Sequence, residues 1–133
     1  MALVDEFGRN LGIALQMFDD LGNVLGVREP AKKYEDLMLS RPSWAWGCAA
    51  KVSSPENYNK FVAAVGKLPD SRELDNWIEE YRFIQRMRQG ARHRLEWTFD
   101  HFKLGLESAR LRWSARVFDE IRNLGEEIAI AYD

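Results

Sequence analysis

The sequence contains a single cysteine, Cys48, so an internal disulfide cannot form. A long apolar run is missing too, because even the richest stretch is interrupted before it reaches the ~20 residues that a membrane-spanning helix needs. No segment near the start combines the charged and apolar regions of a secretory signal. We therefore expect a cytoplasmic protein without a membrane span, in which Cys48 is an inert core residue.

A strong excess of one charge is also lacking. The chain carries 19 lysines and arginines against 21 aspartates and glutamates, which leaves a formal net charge of -2. A field this weak does not recruit nucleic acid or an anionic membrane to the whole surface. The arginine-rich segment 82–94 is the densest basic stretch, but helical spacing spreads its arginines around the axis and favours a solvated face. We expect no nucleic-acid partner.

The alternation of apolar and polar residues that is typical of a half-buried strand is absent, and no internal repeat occurs. Apolar residues instead recur three and four positions apart, which indicates amphipathic helices. With 133 residues, of which 46% are hydrophobic, the chain matches one ordinary domain that buries roughly two thirds of its unfolded surface. We expect residues 1–133 to form a single all-α domain, a helical bundle.

Glycine, proline and serine mark the predicted helix ends. Gly26 interrupts the first helix, because glycine tolerates the dihedrals of a helix end. Pro42 can open a helix, since its missing N–H is harmless in the first turn, and Ser54 is a candidate N-cap. Gly90 is the predicted bend of the long C-terminal part. The predicted helices span 5–25, 42–52, 55–67 and most of the chain from 71 onward, and a loop is predicted at 26–35. The pattern changes at 108–113. The last apolar stripe consists of Val117, Ile121, Leu124, Ile128 and Ala131.

Two adjacent aspartates, Asp19 and Asp20, lie in the apolar stretch LGIALQMFDDLGNVLG at residues 11–26. Burying one unpaired carboxylate costs several kcal/mol and adjacent carboxylates repel, so such a pair needs compensation or exposure. A bound metal, a basic partner or plain water would each suffice. Gln16 and Asn23 lie three or four positions away in the same sector of the helix, and both also present oxygen atoms.

Oxygen-bearing side chains gathered on one helix sector suit a hard cation. Magnesium favours carboxylates, keeps some waters and is often completed by phosphate oxygens of a substrate. The cations Lys32, Lys33 and Arg41 follow the predicted loop and can fold back to hold a polyanion. This order predicts a diphosphate that bridges Mg2+ and the cations, whereas a solvated helix end and a solvated loop would explain the same residues without a ligand.

Two linked segments resemble a known family. FGRNLGIALQMFDDLGN, residues 7–23, resembles the second aspartate-rich segment of trans-isoprenyl diphosphate synthases, the polyprenyl synthetase family. KKYEDLMLSRPSWAWGCAA, residues 32–50, is similar to the run that follows that segment in the family. The matching residues are Gly8, Arg9, Leu11, Gly12, Gln16, Asp19 and Asp20 in the first segment and Lys32, Asp36, Leu37, Arg41, Ser43 and Trp44 in the second.

The resemblance implies the C-terminal half of the isoprenoid synthase fold and a role for each matching polar residue. By this matching, Asp19 and Asp20 bind Mg2+ that bridges to an allylic diphosphate, and Lys32 contacts the same diphosphate. Gln16 lines the reacting end and is the catalytic candidate, while Arg41 is a weaker diphosphate-binding candidate.

Some features depart from the family pattern. Asn23 stands where a third aspartate is usual and offers the metal a neutral oxygen, and Leu15 stands where a phenylalanine is usual. The match covers this whole chain but only the C-terminal half of the family pattern, and the first aspartate-rich motif does not occur in the sequence.

The resemblance therefore implies the C-terminal half or a subunit of an isoprenyl diphosphate synthase, inactive alone and completed by a complementary N-terminal half in a homo- or hetero-oligomer. Its substrates would be an allylic diphosphate and isopentenyl diphosphate, its cofactor Mg2+, and its reaction chain-elongating prenyl transfer. The alternative is a non-catalytic helical subunit or remnant of this family that acts through partner contacts.

Overall fold

The computed structural model describes residues 2–109 and 115–133, which form helices and connecting turns without a strand. This confirms the prediction of an all-α helical bundle. Residues 110–113 of the predicted pattern change at 108–113 lie outside the described residues. Within the described ranges, no helix is both long and apolar enough to cross a membrane. The helices are α1 (Ala2–Leu25), α2 (Glu35–Met38), α3 (Trp44–Val52), α4 (Pro55–Val65), α5 (Arg72–Glu80), α6 (Phe83–Ser108) and α7 (Ala115–Ile130), with a 3₁₀ turn at Pro30–Lys32.

The long helices α1 and α6 pack antiparallel and form the centre of the bundle. Glu6 Oε1 lies 2.9 Å from His101 Nε2, and Asn10 Oδ1 accepts a hydrogen bond from Arg94 Nη2 at 3.0 Å. Partner numbers fall along α6 as they rise along α1, which defines the antiparallel direction. Both helices carry an apolar stripe at helical spacing, and the stripes bury each other. The buried residues of this pair include Ala14, Phe18, Leu21, Ala91, Leu95, Phe99 and Phe102.

An aromatic cluster joins the shorter helices to α6. Phe61 of α4 is fully buried, and its ring centroid lies 4.7 Å from that of Trp77 and 5.8 Å from that of Phe83. The Trp77 indole N–H donates to the Asn57 carbonyl oxygen at 3.0 Å, which satisfies a buried polar group within the cluster. The predicted N-cap of α4 is confirmed, because Ser54 Oγ accepts from the Asn57 backbone N–H at 3.3 Å.

The start of α3 differs from the prediction. The helix begins at Trp44 and not at Pro42, and Ser43 at the N-cap position makes no side-chain capping bond. Asp20 of α1 instead accepts a hydrogen bond from the Trp44 backbone N–H through Oδ2, at 2.6 Å. The predicted start was wrong because one of the free N–H groups in the first turn is satisfied by a residue of another helix, which local sequence rules do not include.

Gly90 was predicted as a break or bend, and the break is wrong, because α6 continues through this residue. The chain turns earlier, at Arg82, whose φ of 49° ends the run from α5 before α6 begins. A Cβ added at Gly90 would lie 3.1 Å from Trp44 Cζ2. The glycine therefore allows the Trp44 indole to lie against the backbone of α6, and it is a packing residue and not a helix end.

The last apolar stripe was predicted correctly only in part, because Ile121 and Ile128 pack against the core but the remaining predicted residues do not. Val117 and Leu124 are exposed, and the buried positions of α7 are Phe118, Gly125 and Ala129. Gly125 of α7 lies directly against the ring of Phe99 in α6, because a Cβ at Gly125 would be 3.1 Å from Phe99 Cε2. This close contact turns the Gly125 face of α7 towards α6. The small residues face α6 at close range. Val62 of α4 is likewise exposed.

Removing the centre of the aromatic cluster should destabilise the fold strongly. Phe61→Ala leaves a cavity among the rings of several helices, and such substitutions cost about 3–5 kcal/mol. The neighbouring variant Val62→Ala changes an exposed side chain of the same helix and should stay within about 0.5 kcal/mol of wild type. Urea unfolding of both variants measures these differences. Similar losses in the two variants would show that α4 does not pack as described.

Candidate functional site

A cavity of about 290 Å3 lies between the C-terminal turns of α1 and the segment that leads into α2. It brings together most of the residues predicted from the sequence. Arg41 does not line it, but its Nη1 lies 3.3 Å from Oδ1 of Asp36, which does. Its polar lining residues include Gln16, Asp19, Asp20, Asn23, Lys32 and Asp36.

Asn23 holds the segment after α1 in place. Its side-chain Nδ2 donates to the Lys32 carbonyl oxygen at 3.3 Å, and its Oδ1 accepts from the Asp36 backbone N–H at 3.3 Å. Its own carbonyl oxygen accepts from the Tyr34 backbone N–H at 3.1 Å. A carboxylate at this position could not donate a hydrogen bond to the Lys32 carbonyl oxygen. The asparagine therefore fits this loop, independently of its predicted role as a metal ligand.

Asp20 is buried and its two oxygens point into the protein. Oδ2 accepts from the Trp44 backbone N–H at 2.6 Å, and Oδ1 accepts from Gln16 Nε2 at 3.0 Å. Burial raises the pKa of Asp20, whereas these hydrogen bonds act to lower it. Asp20 thus satisfies the first turn of α3 from outside that helix, a role that its position beside Asp19 did not indicate.

Asp19 is exposed, and Tyr132 lies beside it. The Tyr132 hydroxyl donates to Asp19 Oδ1 at 3.2 Å, and Arg88 donates to the Tyr132 carbonyl oxygen through Nε at 3.0 Å and Nη2 at 2.8 Å. Burial, and to a lesser degree the charge of Asp19, raises the pKa of the Tyr132 hydroxyl. A Cβ at Gly22 would lie 2.7 Å from Tyr132 Cε1, so this glycine makes room for the ring. Sequence reasoning missed Tyr132, because no spacing rule relates residues so far apart in the chain.

The two cations predicted to bind diphosphate are both paired with carboxylates. Lys32 Nζ lies 2.7 Å from Glu29 Oε2 on the surface, and Glu29 raises the pKa of this lysine. Arg41 contacts Asp36 and, more distantly at 3.9 Å, Glu35. Each cation is solvent-exposed, so exchanging its carboxylate for a phosphate costs little.

The donor set is compatible with a magnesium ion that a ligand completes. Among the described residues, no group of three or more acidic, histidine or cysteine side chains could hold a metal ion. Asp19 and Asp36 line the same cavity, and magnesium in phosphate sites is commonly held by one or two carboxylates together with waters and phosphate oxygens. Two carboxylates do not make a closed protein cage, so a cation held here would need waters or a ligand to complete its coordination.

No family model matches the chain, and neither does any curated protein or solved structure. The geometry of the cavity and the sequence pattern are therefore the grounds on which a function is assigned.

The two adjacent aspartates should differ sharply in their effect on stability. Asp20→Ala removes the acceptor for the Trp44 backbone N–H and should lower the free energy of unfolding by about 1–3 kcal/mol. Asp19→Ala removes only a long hydrogen bond from the Tyr132 hydroxyl to an exposed carboxylate and should cost about 0.5 kcal/mol. Urea unfolding of the two variants makes the comparison, and equal losses would contradict the inward role of Asp20.

Asp20 should also give stability a characteristic pH dependence. Because its pKa is raised in the folded chain, the folded state keeps a proton at pH values where the unfolded state has lost it. The free energy of unfolding of wild type, relative to Asp20→Asn, should therefore fall as pH rises from the ordinary aspartate pKa to the raised one, and then level off. Urea unfolding at a series of pH values measures this difference. A rise in the same window would mean that the pKa is lowered.

Proposed function

We propose that the chain binds an allylic diphosphate through Mg2+ and acts as the C-terminal half or a subunit of an isoprenyl diphosphate synthase, in the cytoplasm. The observation that carries the proposal is that one cavity gathers Gln16, Asp19, Asp20 and Lys32, which match the family pattern. Gln16, Asp19 and Asp20 share one sector of α1 by helix spacing, and the loop brings Lys32 to the same place. The position of this cation beside the aspartates supports a shared ligand.

The cavity residues have distinct tasks in this proposal. Asp19 and Asp36 would hold Mg2+, which supplies positive charge that stabilises the diphosphate as it leaves the allylic carbon. Lys32 would exchange Glu29 for a diphosphate oxygen and add fixed positive charge at the same place. Asp20 would not meet the metal directly but would keep Gln16 and the start of α3 in position through its two hydrogen bonds.

The exposed face of α1 supports association with a complementary part. Val4, one turn before Gly8, is 36% exposed, and apart from neighbouring residues and the backbone of α1 itself, nothing in the described part of the chain lies within 4 Å of a Cβ added at Gly8 or Gly12. Glycine in a helix interior costs roughly 0.5–1 kcal/mol relative to alanine, and packing within this chain does not offset that cost. A second helix lying close to Gly8 and Gly12 would offset it. Such a partner would contribute the remaining half of an active site. Isopentenyl diphosphate would bind to the completed site as the second substrate.

The second candidate function is that of a non-catalytic helical subunit acting through partner contacts. It is favoured by the engagement of both predicted cations with Glu29 and Asp36, and by the commitment of Asp20 to the fold. In this case the cavity would be a structural joint between α1 and α2, and the exposed face of α1 would be the working surface.

Binding of geranyl diphosphate with and without Mg2+, measured by isothermal titration calorimetry, tests the proposed function. Mg2+-dependent binding is expected, weakened at least about tenfold by Asp19→Ala and by Lys32→Gln, since each removes a charged contact worth roughly 1.5–3 kcal/mol. Asp5→Ala on the same helix and Lys60→Gln on α4 are matched controls and should bind like wild type. If binding is absent, or if Asp19→Ala binds as tightly as Asp5→Ala, the cavity is not a diphosphate site.

Turnover separates the two candidate functions. A mixture of this chain with a family N-terminal half that carries the first aspartate-rich motif should convert radiolabelled isopentenyl diphosphate into longer prenyl diphosphates. Asp19→Ala should abolish this conversion, whereas Asp119→Ala, an exposed carboxylate on α7 away from the cavity and from Gly8 and Gly12, should not. Association without any conversion would favour the non-catalytic subunit.

A further inference from the structure

A groove of about 1070 Å3 runs between α1, α3 and α6. On α1 it is lined by Ile13 and Met17, which lie at least about 100° around the helix axis from Gly8 and Gly12. The groove is therefore a different surface from the face that carries these glycines. Its apolar lining residues are Ile13, Met17, Trp44, Cys48, Val52 and Trp97.

Positive charge is spread along the groove. Lys51, Arg86, His93 and Arg94 line it, and no carboxylate within the described ranges forms an ion pair with any of them. From Arg86 to Arg94, α6 rises about 12 Å, at ~1.5 Å per residue. The acidic lining residue, Asp20, already accepts a hydrogen bond at each of its oxygens. An occupant of the groove therefore needs negative charge at more than one point along its length.

The groove also contains hydrogen-bond donors that the protein leaves without a partner. Ser43 Oγ, Trp44 Nε1 and Arg94 Nε are buried and have no partner in the part of the chain that is described. All of these residues line the groove. Buried polar atoms without a partner are uncommon in folded proteins, and each of these atoms can donate to an acceptor. The occupant should therefore also bring acceptor oxygens.

The outward face of α7 carries an exposed apolar stripe of the opposite charge type. Val117 is 44% exposed and Leu124 is 58% exposed, and Ala131 continues the same face at the same spacing. We call these residues the α7 stripe. Glu120 and Glu127 are exposed and follow Val117 and Leu124 by three positions, so they border the stripe. The α7 stripe thus combines apolar side chains with carboxylates, as the groove requires of its occupant.

We propose that the α7 stripe of a second copy of this chain binds in the groove. The stripe would cover the apolar lining, while Glu120 and Glu127 would supply the negative charge and the acceptor oxygens. These glutamates are about 10 Å apart along α7, close to the about 12 Å between Arg86 and Arg94 along α6, at ~1.5 Å per residue. The contact joins two different surfaces of the chain and is therefore heterologous.

The carboxylates of the α7 stripe are available for this contact. Glu127 forms no ion pair within the described ranges, and the pair between Glu120 Oε1 and Arg116 Nε, at 3.1 Å, lies on the surface. Exposed ion pairs contribute little to stability, so exchanging Arg116 for a cation of the groove costs little. The inference goes beyond the proposed function because the contact uses neither Mg2+ nor the face of Gly8 and Gly12.

Sedimentation velocity of the intact chain over a concentration series, in EDTA, tests the contact. A single helix in a groove makes a small interface, so we expect reversible association with a dissociation constant on the order of 100 µM. The groove variant Lys51→Glu/Arg86→Glu makes both surfaces acidic, and the stripe variant Glu120→Lys/Glu127→Lys makes both basic. Each variant alone should associate at least about tenfold more weakly than wild type. An equimolar mixture of the two should associate again, because every acidic surface then finds a basic one.

Matched controls change the same charges elsewhere on the molecule. Lys60→Glu/Arg72→Glu and Glu56→Lys/Glu80→Lys alter exposed positions of α4 and α5. Both controls should associate within about twofold of wild type, since neither pair lines the groove or borders the α7 stripe.

Several results would overturn the proposal. A wild-type chain that stays monomeric at about ten times the expected dissociation constant would leave the groove to a different protein. Association that persists in both the groove variant and the stripe variant would place the contact on other surfaces. If the mixture stays monomeric although both variants unfold in urea like wild type, the groove and the α7 stripe do not meet. Binding of geranyl diphosphate has no bearing on these results, since neither Mg2+ nor a diphosphate is present.

Discussion

The hydrogen bond from the Trp44 backbone N–H to Asp20 Oδ2 joins α1 to α3, and Asp20 also lines the candidate cavity. It places the start of α3 beside the C-terminal turns of α1, and the Trp44 indole lies against Gly90 of α6. The small cavity lies towards Asn23 and the segment before α2, and the large groove lies towards α6. A single buried carboxylate thus determines where three helices meet, because an unmet N–H in the first turn of α3 would cost free energy.

This constraint separates the roles of two adjacent and chemically identical residues. Asp20 faces the protein and is committed to α3 and Gln16, while Asp19, one residue earlier, faces solvent and the Tyr132 hydroxyl. Neighbouring positions on a helix point about 100° apart, so only one of the pair can reach α3. The same arrangement reduces the repulsion between the two carboxylates. The Asp19 carboxylate therefore stays at the surface while the Asp20 carboxylate stays buried.

Much of the helical architecture follows from the sequence, because apolar spacing reports which face of each helix is buried. The stripes of α1, α5 and α6 were predictable in this way, as was the Ser54 N-cap. Gly90 was misinterpreted because a glycine that ends a helix and one that admits a neighbouring ring look alike in sequence. The rotation of α7 was missed because Gly125, which carries no apolar side chain, faces the core.

The candidate site was predictable in its members but not in its internal bonds. Asp19, Asp20, Asn23 and Lys32 were expected to meet, since helix spacing and a short loop bring them together. That Asn23 fastens the loop and Asp20 caps α3 depends on contacts between distant segments. The most direct test of this account is the hydrogen exchange of the Trp44 backbone amide, followed by NMR as Mg2+ and inorganic diphosphate are added. The account predicts that this amide stays protected, because Asp20 keeps its bond while Asp19 receives the metal. Rapid exchange of the Trp44 amide on ligand addition would show that Asp20 leaves α3 for the metal, which contradicts it.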